Sequence, residues 1–244
     1  MANGLTTAWE IAIDDDHVYW SCFEDDSARR VAKSGGPLQL VAASQLAPWP
    51  DRPWGVAVDT ANVYWSAAAG VWRRAAVGSI NMASDLFVGS GAAGIAVDED
   101  GVTFLADDDG TIVRFDGTNA STLASGRSKP NAIAVDDANV YWLDTGDGRV
   151  MRIDKVGGLA PEELAVGEAN PTGIALDATD VYWTAWGACT EAACAHGTVS
   201  RVPKAGGEVT VVAEGDYLPT DVAVDDEAVY WTTWSASSVL RLAK

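Results

Sequence analysis

The sequence has little positive charge. Its 244 residues include 16 Lys and Arg against 35 Asp and Glu, which gives a formal net charge of −19. An acidic surface repels phosphate backbones and anionic lipid head groups, so we expect no nucleic-acid partner and no membrane insertion. No apolar run is long enough to cross a membrane, and 48% hydrophobic residues argue against a disordered chain. Divalent cations, cationic groups, sugars and peptides stay open as ligands.

Cysteine is also scarce, since three residues are too few for a disulfide scaffold. Cys189 and Cys194 lie close enough for one loop to bring them within disulfide range, and we expect them to pair. A disulfide favours an oxidising compartment, so we expect a secreted or periplasmic protein, although residues 1–4 show no signal-peptide pattern. The alternative is a metal site that adds His196, but this gives three ligands where structural zinc takes four.

Tryptophan, in contrast, is abundant, with 11 residues beside only 4 Phe. Five of the 11 close a phrase of the type IAVDxxxVYW that recurs six times along the chain, with Phe104 in the same place once. The copies occupy residues 11–20, 56–65, 95–104, 133–142, 174–183 and 222–231. A residue present in every copy serves what every copy needs, so we expect these rings to pack between neighbouring units.

Each repeat of about 40 residues contains four short apolar segments separated by turns, which is the pattern of a propeller blade. The sequence therefore predicts an all-β fold, a six-bladed β-propeller of four-stranded antiparallel blades that forms one domain over residues 1–244. The repeat units begin near residues 9, 54, 93, 131, 172 and 220. Residues 1–4 align with 123–126, and the sequence after the last third strand is short. We therefore expect the last blade to be incomplete, with three strands or a stub from residues 1–3, and its open edge to permit self-association.

The repeated motif also resembles that of a known group of propellers. Residues 130–136 (PNAIAVD) followed by 141–144 (YWLD), and 171–175 (PTGIA) followed by 182–184 (YWT), are similar to the NHL and YWTD repeats. The resemblance covers the whole chain and implies a six-bladed propeller. It implies little about activity, because binding modules, hydrolases and lyases share this scaffold. Lyases of the NHL type rely on metal-binding histidines, and this chain has two His in total.

Residues that break the repeat point to a functional face. The long connections at residues 42–53, 186–197 and 23–28 are expected at the same end of the blades, where functional loops gather. Five Trp outside the repeat position fall in these connections or at the strand ends that they join, and Asn131 and Asp144 are polar where most sister repeats are not. The candidate ligand-binding residues are Trp9, Trp49, Trp54, Asn131, Asp144, Trp186 and Trp234. The same Trp could instead cap the central channel without binding anything.

A metal site is the second possibility at this end. Glu10, Asn131, Asp144 and Asp221 could supply oxygen ligands to a hard cation such as Ca²⁺. Six-bladed lactonases of the gluconolactonase type hold calcium with one Glu, two Asn and one Asp at the starts of inner strands. Of these positions, this sequence matches Asn131 alone, and Glu10 and Asp221 are each one residue out of register.

The sequence favours a non-catalytic propeller that binds a small molecule, glycan or peptide on its Trp-rich face. Tryptophan faces bordered by Asp and Asn suit sugar rings, peptides and cationic groups. No cofactor is required by this interpretation, although calcium is possible. The alternative is a calcium-dependent, lactonase-like hydrolase, and a third possibility is a scaffold without a small ligand.

Overall fold

The computed structural model describes residues 8–22, 27–43, 53–67, 70–75, 84–87, 91, 93–98, 101–106, 109–189, 194–215, 218–234 and 238–244. Secondary structure in these ranges consists of β-strands, with no helix. No helix that could cross a membrane is present in them. Two compact units make up the chain, Met1–Ser125 and Gly126–Lys244, and each contains three successive sheets.

The first unit contains three four-stranded antiparallel sheets. Sheet 1 comprises β1 (Ala8–Ile13), β2 (His17–Cys22), β3 (Ser27–Ala32) and β4 (Gln39–Ala43). Sheet 2 comprises β5 (Val56–Val58), β6 (Asn62–Ala67), β7 (Gly70–Ala75) and β8 (Ser84–Phe87). Sheet 3 comprises β9 (Ile95–Asp98), β10 (Gly101–Ala106), β11 (Thr111–Phe115) and β12 (Ala120–Ala124).

The second unit contains two further four-stranded sheets, one three-stranded sheet and a small hairpin. Sheet 4 comprises β13 (Pro130–Val135), β14 (Asn139–Asp144), β15 (Arg149–Asp154) and β16 (Glu162–Val166). Sheet 5 comprises β17 (Pro171–Leu176), β18 (Asp180–Ala185), β21 (Gly197–Pro203) and β22 (Thr210–Gly215), and the hairpin β19 (Ala188–Cys189) and β20 (Cys194–Ala195) is inserted in it. Sheet 6 comprises β23 (Pro219–Val224), β24 (Ala228–Thr233) and β25 (Ser238–Ala243).

The number of blades needs a correction. Each of the five four-stranded sheets joins its strands in sequence order, as a propeller blade does. The sequence predicts six blades with an incomplete last blade, whereas the structure shows five four-stranded blades, and the sixth repeat forms a sheet of three strands within the described residues. A stub from residues 1–3 lies outside the described residues. The chain divides into two compact units, and a single domain over residues 1–244 therefore stays a prediction.

The sheets dock through hydroxyl groups next to an irregular first strand. In β17 the pairing with β18 shifts between Pro171 and Ile174, and Gly173 N in this bulge donates to Thr184 Oγ1 at 2.9 Å. Thr172 Oγ1 then donates to Pro219 O of the next sheet at 3.1 Å. Sheet 2 shows the same device, because Gly55 N donates to Ser66 Oγ at 2.9 Å and Ser66 Oγ donates to Ala93 O at 3.2 Å. In sheet 2 the hydroxyl after the repeat Trp thus contacts the next sheet itself, whereas in sheet 5 it holds the bulge from which Thr172 makes that contact.

The repeat aspartate holds the first hairpin of five of the six sheets. Asp136 Oδ1 accepts hydrogen bonds from Ala138 N at 3.0 Å and Asn139 N at 2.8 Å, and Oδ2 accepts one from Tyr141 Oη at 3.0 Å. This Asp–Tyr brace recurs in four other sheets, with the pairs Asp14–Tyr19, Asp59–Tyr64, Asp177–Tyr182 and Asp225–Tyr230. Hydrogen bonds from the turn and from the phenol hold the pKa of the aspartates low despite their burial. Burial and the adjacent carboxylate raise the pKa of Tyr141 to about 12.

The basic residues of the repeat join one sheet to the next. Lys204 Nζ of sheet 5 lies 2.9 Å from Asp136 Oδ2 of sheet 4, and Lys244 Nζ of sheet 6 lies 2.7 Å from Asp177 Oδ2 of sheet 5. Arg152 Nη1 of sheet 4 donates to Lys204 O. In sheets 4 and 5 the carboxylate that holds a hairpin therefore also receives the lysine of the following sheet.

The repeat tryptophans form the core between sheets. Trp65, Trp142 and Trp183 are buried, and Trp183 shares a hydrophobic cluster with Val150 and Leu164 of the preceding sheet. Large buried aromatic side chains contribute several kcal/mol each to stability. The expectation that these rings pack between neighbouring repeats agrees with this cluster. Trp231 in sheet 6, however, is half-buried.

Replacement of Asp136 by Asn tests the brace. We expect a loss of about 1–3 kcal/mol in the free energy of unfolding at pH 7, because the charged hydrogen bonds to Tyr141 and Lys204 disappear. The folded-state pKa of Asp136 is below its ordinary 3.8, so its contribution is complete above about pH 5 and is lost as the pH falls. Urea unfolding at pH 7 and pH 3 measures both effects. Asp137→Asn, an exposed neighbour in the same turn, is the matched control, and equal stability of the two variants at pH 7 would contradict the prediction.

Candidate functional site

One end of the second unit carries two tryptophans at the same position of neighbouring sheets. The residue after the second strand donates its main-chain N–H to the loop before the first strand, in all three sheets of this unit. Trp186 N donates to Asn170 O at 3.0 Å, Trp234 N donates to Leu218 O at 2.8 Å, and Thr145 N donates to Lys129 O at 3.1 Å. Trp186 and Trp234 are thus structural equivalents, and sheet 4 has Thr145 in their place.

These two rings differ in their surroundings. Trp234 is 63% exposed, which is unusual for so large an apolar side chain on a regular sheet. Trp186 is half-buried, and its buried indole Nε1 has no hydrogen-bond acceptor among the described residues. A buried indole N–H without an acceptor costs free energy of folding. We call Trp186 and Trp234 the tryptophan pair.

A hairpin that carries a disulfide bond follows directly after Trp186. Cys189 is disulfide-bonded, and the residue opposite it in the β19–β20 register is Cys194. Asn170 Nδ2 donates to Gly187 O at 2.9 Å, and Gly187 N donates to Ala169 O at 3.0 Å. Because these bonds connect the hairpin to the loop before β17, the segment next to Trp186 is held in place on both sides.

The other predicted aromatic residues belong to the first unit. Trp54 is half-buried, its main-chain N–H donates to Ser66 O, and its carbonyl accepts from Ser21 Oγ, both at 2.9 Å. Its backbone therefore takes part in joining sheets 1 and 2. Trp9 lies on β1, and its side chain is outside what the structure describes, as is the whole of Trp49.

Asn131 stands in the bulge of β13 without a hydrogen-bond partner among the described residues. Its structural equivalents in sheets 5 and 6 are Thr172 and Thr220, whose hydroxyls bond Thr184 Oγ1 at 3.0 Å and Thr232 Oγ1 at 2.7 Å. The half-buried Asn131 amide is not used in this way, so both its donor and its acceptor are available. Of the predicted polar residues, Asn131 best fits a binding role.

Asp144 has a different environment from the one that its sequence position indicates. It is 1% exposed, its Oδ1 accepts a hydrogen bond from Trp142 Nε1 at 2.9 Å, and its Oδ2 lies 3.5 Å from Arg127 Nη1. Burial raises the pKa of this carboxyl group, and the contacts with Trp142 and Arg127 offset part of the rise. In sheet 5 Glu168 Oε2 accepts the equivalent indole N–H from Trp183 at 2.9 Å. Asp144 thus contributes to packing around Trp142.

Glu10 and Asp221 occupy a position that is glycine in three of the other sheets. A side chain at Gly173 would place its Cβ 2.5 Å from Asp221 Oδ1 and 2.6 Å from Asp221 Cα, so Gly173 is required for the approach of β23 to β17. A Cβ at Gly55 would likewise lie 2.9 Å from Glu10 Oε2. Each carboxylate is therefore packed against the glycine of a neighbouring sheet within its own unit.

The carboxyl group of Asp221 has few contacts that would stabilise its charged form. Its Oδ1 accepts a hydrogen bond from Val222 N at 2.9 Å, and no ion pair with a described residue is formed. Burial raises its pKa to about 6. The described ranges contain no group of three or more His, Cys, Asp or Glu that could hold a metal ion, and a calcium site that includes Asn131 stays a prediction.

Two features of this end were not found from the sequence. Asn170 tethers the hairpin, and its left-handed backbone, with φ of 56°, matches that of Lys129 at the same position in sheet 4. The equivalence of Trp186 and Trp234 was also missed, although both follow the repeat phrase by the same number of residues. Alignment of the six phrases beyond the Trp would have shown it.

Comparison with known proteins identifies the fold. No protein-family model matches the sequence, and no curated protein matches it. Virginiamycin B lyase from Staphylococcus aureus, in a catalytically inactive form with quinupristin, matches with a TM-score of 0.79 and 16% identity over 100% of this chain and 83% of that one. A streptogramin B lyase gives 0.77 and 13% over 100% and 85%, and a nidogen/laminin complex gives 0.58 and 20% over 97% and 75%. Identities this low show the fold alone, and the chain is an all-β propeller.

Replacement of Asp221 by Asn tests whether this carboxylate is a structural burden or a cation ligand. Its folded-state pKa is raised, so the folded protein is most stable below pH 4 with respect to this group and loses stability as the pH rises through about 6. We expect Asp221→Asn to raise the free energy of unfolding by about 1–3 kcal/mol at pH 8 and to leave it unchanged at pH 4. Thermal melts with Asp226→Asn as control measure this. If Asp221→Asn instead melts at a lower temperature than the unmodified protein at pH 8 with added calcium, Asp221 binds the ion.

The disulfide has a direct chemical test. Under denaturing, non-reducing conditions we expect one reactive thiol per chain, from Cys22, and three after reduction. Mass spectrometry of a non-reduced digest should join the peptides that contain Cys189 and Cys194. Three thiols without reduction would disprove the disulfide and remove the support for an oxidising compartment.

Proposed function

We propose that the protein is a non-catalytic binding propeller whose tryptophan pair stacks on a neutral or cationic ligand. The observation that supports this most is the placement of Trp186 and Trp234 at equivalent positions of neighbouring sheets, one of them largely exposed and the other with an unpaired indole N–H. Asn131 adds a free amide in the same unit. We also propose that sheet 6 acts as the sixth blade, which makes the fold a six-bladed propeller with an incomplete last blade.

The chemistry of these residues selects among ligands. Indole faces stack on the apolar faces of sugar rings and on peptide side chains, and they attract cations through the ring quadrupole. A net charge of −19 favours cationic or neutral ligands and disfavours phosphorylated ones. A glycan, a peptide or a small cationic molecule therefore fits the tryptophan pair, and an anion does not.

Support for an enzyme is weaker. Lyase activity belongs to the structural neighbours. The two histidines of this chain have different surroundings: His17 Nδ1 lies 3.7 Å from Asp14 Oδ1 in a hairpin turn, and His196 is exposed with φ of 63°. A calcium-dependent, lactonase-like hydrolase is the alternative, and the described carboxylates do not gather into its metal site. Metal analysis of the purified protein, with lactone hydrolysis before and after EDTA, distinguishes it from a binding protein.

The binding proposal is tested with glycan and peptide arrays, followed by titration of any hit against Trp186→Ala and Trp234→Ala. We expect each change to weaken binding by about 1–3 kcal/mol, as for other aromatic stacking contacts. The exposed Trp234 should contribute less than about 0.5 kcal/mol to folding, so its loss should not lower the melting temperature appreciably.

Two controls separate binding from folding. Trp183→Ala removes a buried core ring and should cost about 3–5 kcal/mol of stability. Trp54→Ala, in the other unit, distinguishes two roles of that ring. A loss of ligand affinity indicates that the ring binds ligand, and a loss of stability indicates that it packs in the fold. If Trp234→Ala destabilises the protein as much as Trp183→Ala, or leaves every hit unchanged, the proposal fails.

A further inference from the structure

The bulge residue of one sheet lies beside the backbone that holds the tryptophan of the next sheet. Thr172 Oγ1 donates to Pro219 O at 3.1 Å. Leu218, the residue before Pro219, accepts a hydrogen bond from Trp234 N at 2.8 Å. Only this short stretch of backbone separates the Thr172 hydroxyl from Trp234. We call such a combination of a bulge residue and a tryptophan of the following sheet a bulge–indole pair.

Sheets 4 and 5 form the same combination with Asn131 and Trp186. Asn131 occupies the position in β13 that Thr172 has in β17, because both strands pair with the next strand through the same irregularity. Strand β13 is in contact with β17, and the loop before β17 accepts Trp186 N through Asn170 O at 3.0 Å. The second unit thus carries two bulge–indole pairs in consecutive sheets, Asn131 with Trp186 and Thr172 with Trp234.

The two pairs differ in the hydrogen-bonding groups that they leave free. Thr172 Oγ1 bonds Thr184 Oγ1 at 3.0 Å in addition to Pro219 O, so most of its capacity is used. The Asn131 amide makes no hydrogen bond to a described residue and keeps both its donors and its acceptor. The first pair can therefore orient hydroxyl groups of a ligand, whereas the second offers mainly the indole face of Trp234, which is 63% exposed.

Three carboxylates at this end of the sheets are engaged within the fold. Asp144 Oδ1 accepts the indole N–H of Trp142, and Glu168 Oε2 accepts that of Trp183, both at 2.9 Å. Asp221 is packed against β17, and burial raises its pKa, so its charged form is disfavoured. None of the three is left as a counter-ion for a cationic ligand. The groups that the two bulge–indole pairs offer, an amide and two indoles, are neutral.

We infer that the two bulge–indole pairs bind a neutral oligosaccharide of at least two sugar rings. This inference rests on the function proposed above and specifies its ligand. Packed sheets lie about 10 Å apart, so the indoles of neighbouring sheets are separated by more than the width of one sugar ring. A site that presents the same pair twice suits a ligand that presents the same unit twice. The indoles stack on separate rings, and the Asn131 amide bonds hydroxyls of the ring at Trp186.

A length series tests whether the ligand reaches both pairs. Cello-, malto-, xylo-, manno- and N-acetylchito-oligosaccharides of one to four rings are titrated into the full-length protein by calorimetry. In at least one series we expect the affinity to rise by about tenfold or more between one ring and three, because the second indole is then reached. In Trp234→Ala this rise should disappear, while the affinity for the shortest ligand that binds should be unchanged.

Replacement of Asn131 by Thr tests the polar contact. Threonine occupies the same position in sheets 5 and 6, as Thr172 and Thr220, so the variant should melt at the temperature of the unmodified protein. We expect it to bind every oligosaccharide of the active series about tenfold more weakly, because the amide is lost. Asn119→Thr, the same change at an exposed turn of the other unit, is the matched control and should bind normally.

The outcomes separate this inference from the function on which it rests. If no neutral series binds, but a peptide or an amine binds in a way that requires Trp186 and Trp234, the oligosaccharide assignment is wrong and the binding function stands. If one ring binds as tightly as four, or Trp234→Ala keeps the length dependence, the ligand does not reach both pairs. If Trp186→Ala and Trp234→Ala leave every ligand unchanged, the proposed function fails as well.

Discussion

One carboxylate in five of the six repeats determines the geometry on which the rest of the sheet depends. Its Oδ1 closes the first hairpin through two turn N–H groups, and its Oδ2 receives the hydroxyl of a tyrosine on the second strand. The tyrosine is thereby held at one register, and the tryptophan next to it in the sequence must point to the opposite face. A short polar contact at the turn thus decides which face of each sheet carries the large buried ring.

The same carboxylate connects the sheets of the second unit. Lys204 and Lys244 each approach the aspartate of the preceding sheet, so a hairpin is completed by a residue that lies far along the chain. These two lysines neutralise carboxylates at the joints between sheets, whereas Arg152, Arg201 and Arg241 pair with carboxylates of their own sheets. The surplus of negative charge is left on the surface.

The strands of the fold could be predicted from the sequence because each repeat states the same pattern again. A period-2 alternation ending in Tyr-Trp fixes the register of one hairpin, and six copies leave little doubt about the others. The site was harder, because its residues are those that do not repeat. Asp144 was predicted to bind ligand because it is polar among apolar equivalents, yet it satisfies the indole of Trp142 two residues away on the same face. The contact with Trp142 could have been predicted, because residues i and i+2 of a strand lie on the same face. The contact with Arg127 could not, because it depends on the folded structure.

Asp221 shows how a departure from the repeat can be a cost to stability rather than a sign of chemistry. The glycine of its sister sheets lets neighbouring first strands approach, and Gly173 still provides that space beside Asp221. A carboxylate placed there loses its water and gains one hydrogen bond from the adjacent amide, so the charged form is disfavoured. Asn131, in contrast, departs from its equivalents because its amide has no hydrogen-bond partner among the described residues and carries no charge. A polar residue that breaks a repeat is therefore a better ligand candidate when its neighbours do not already engage it and its own burial imposes no charge penalty. Of the polar candidates in the second unit, Asn131 meets both conditions.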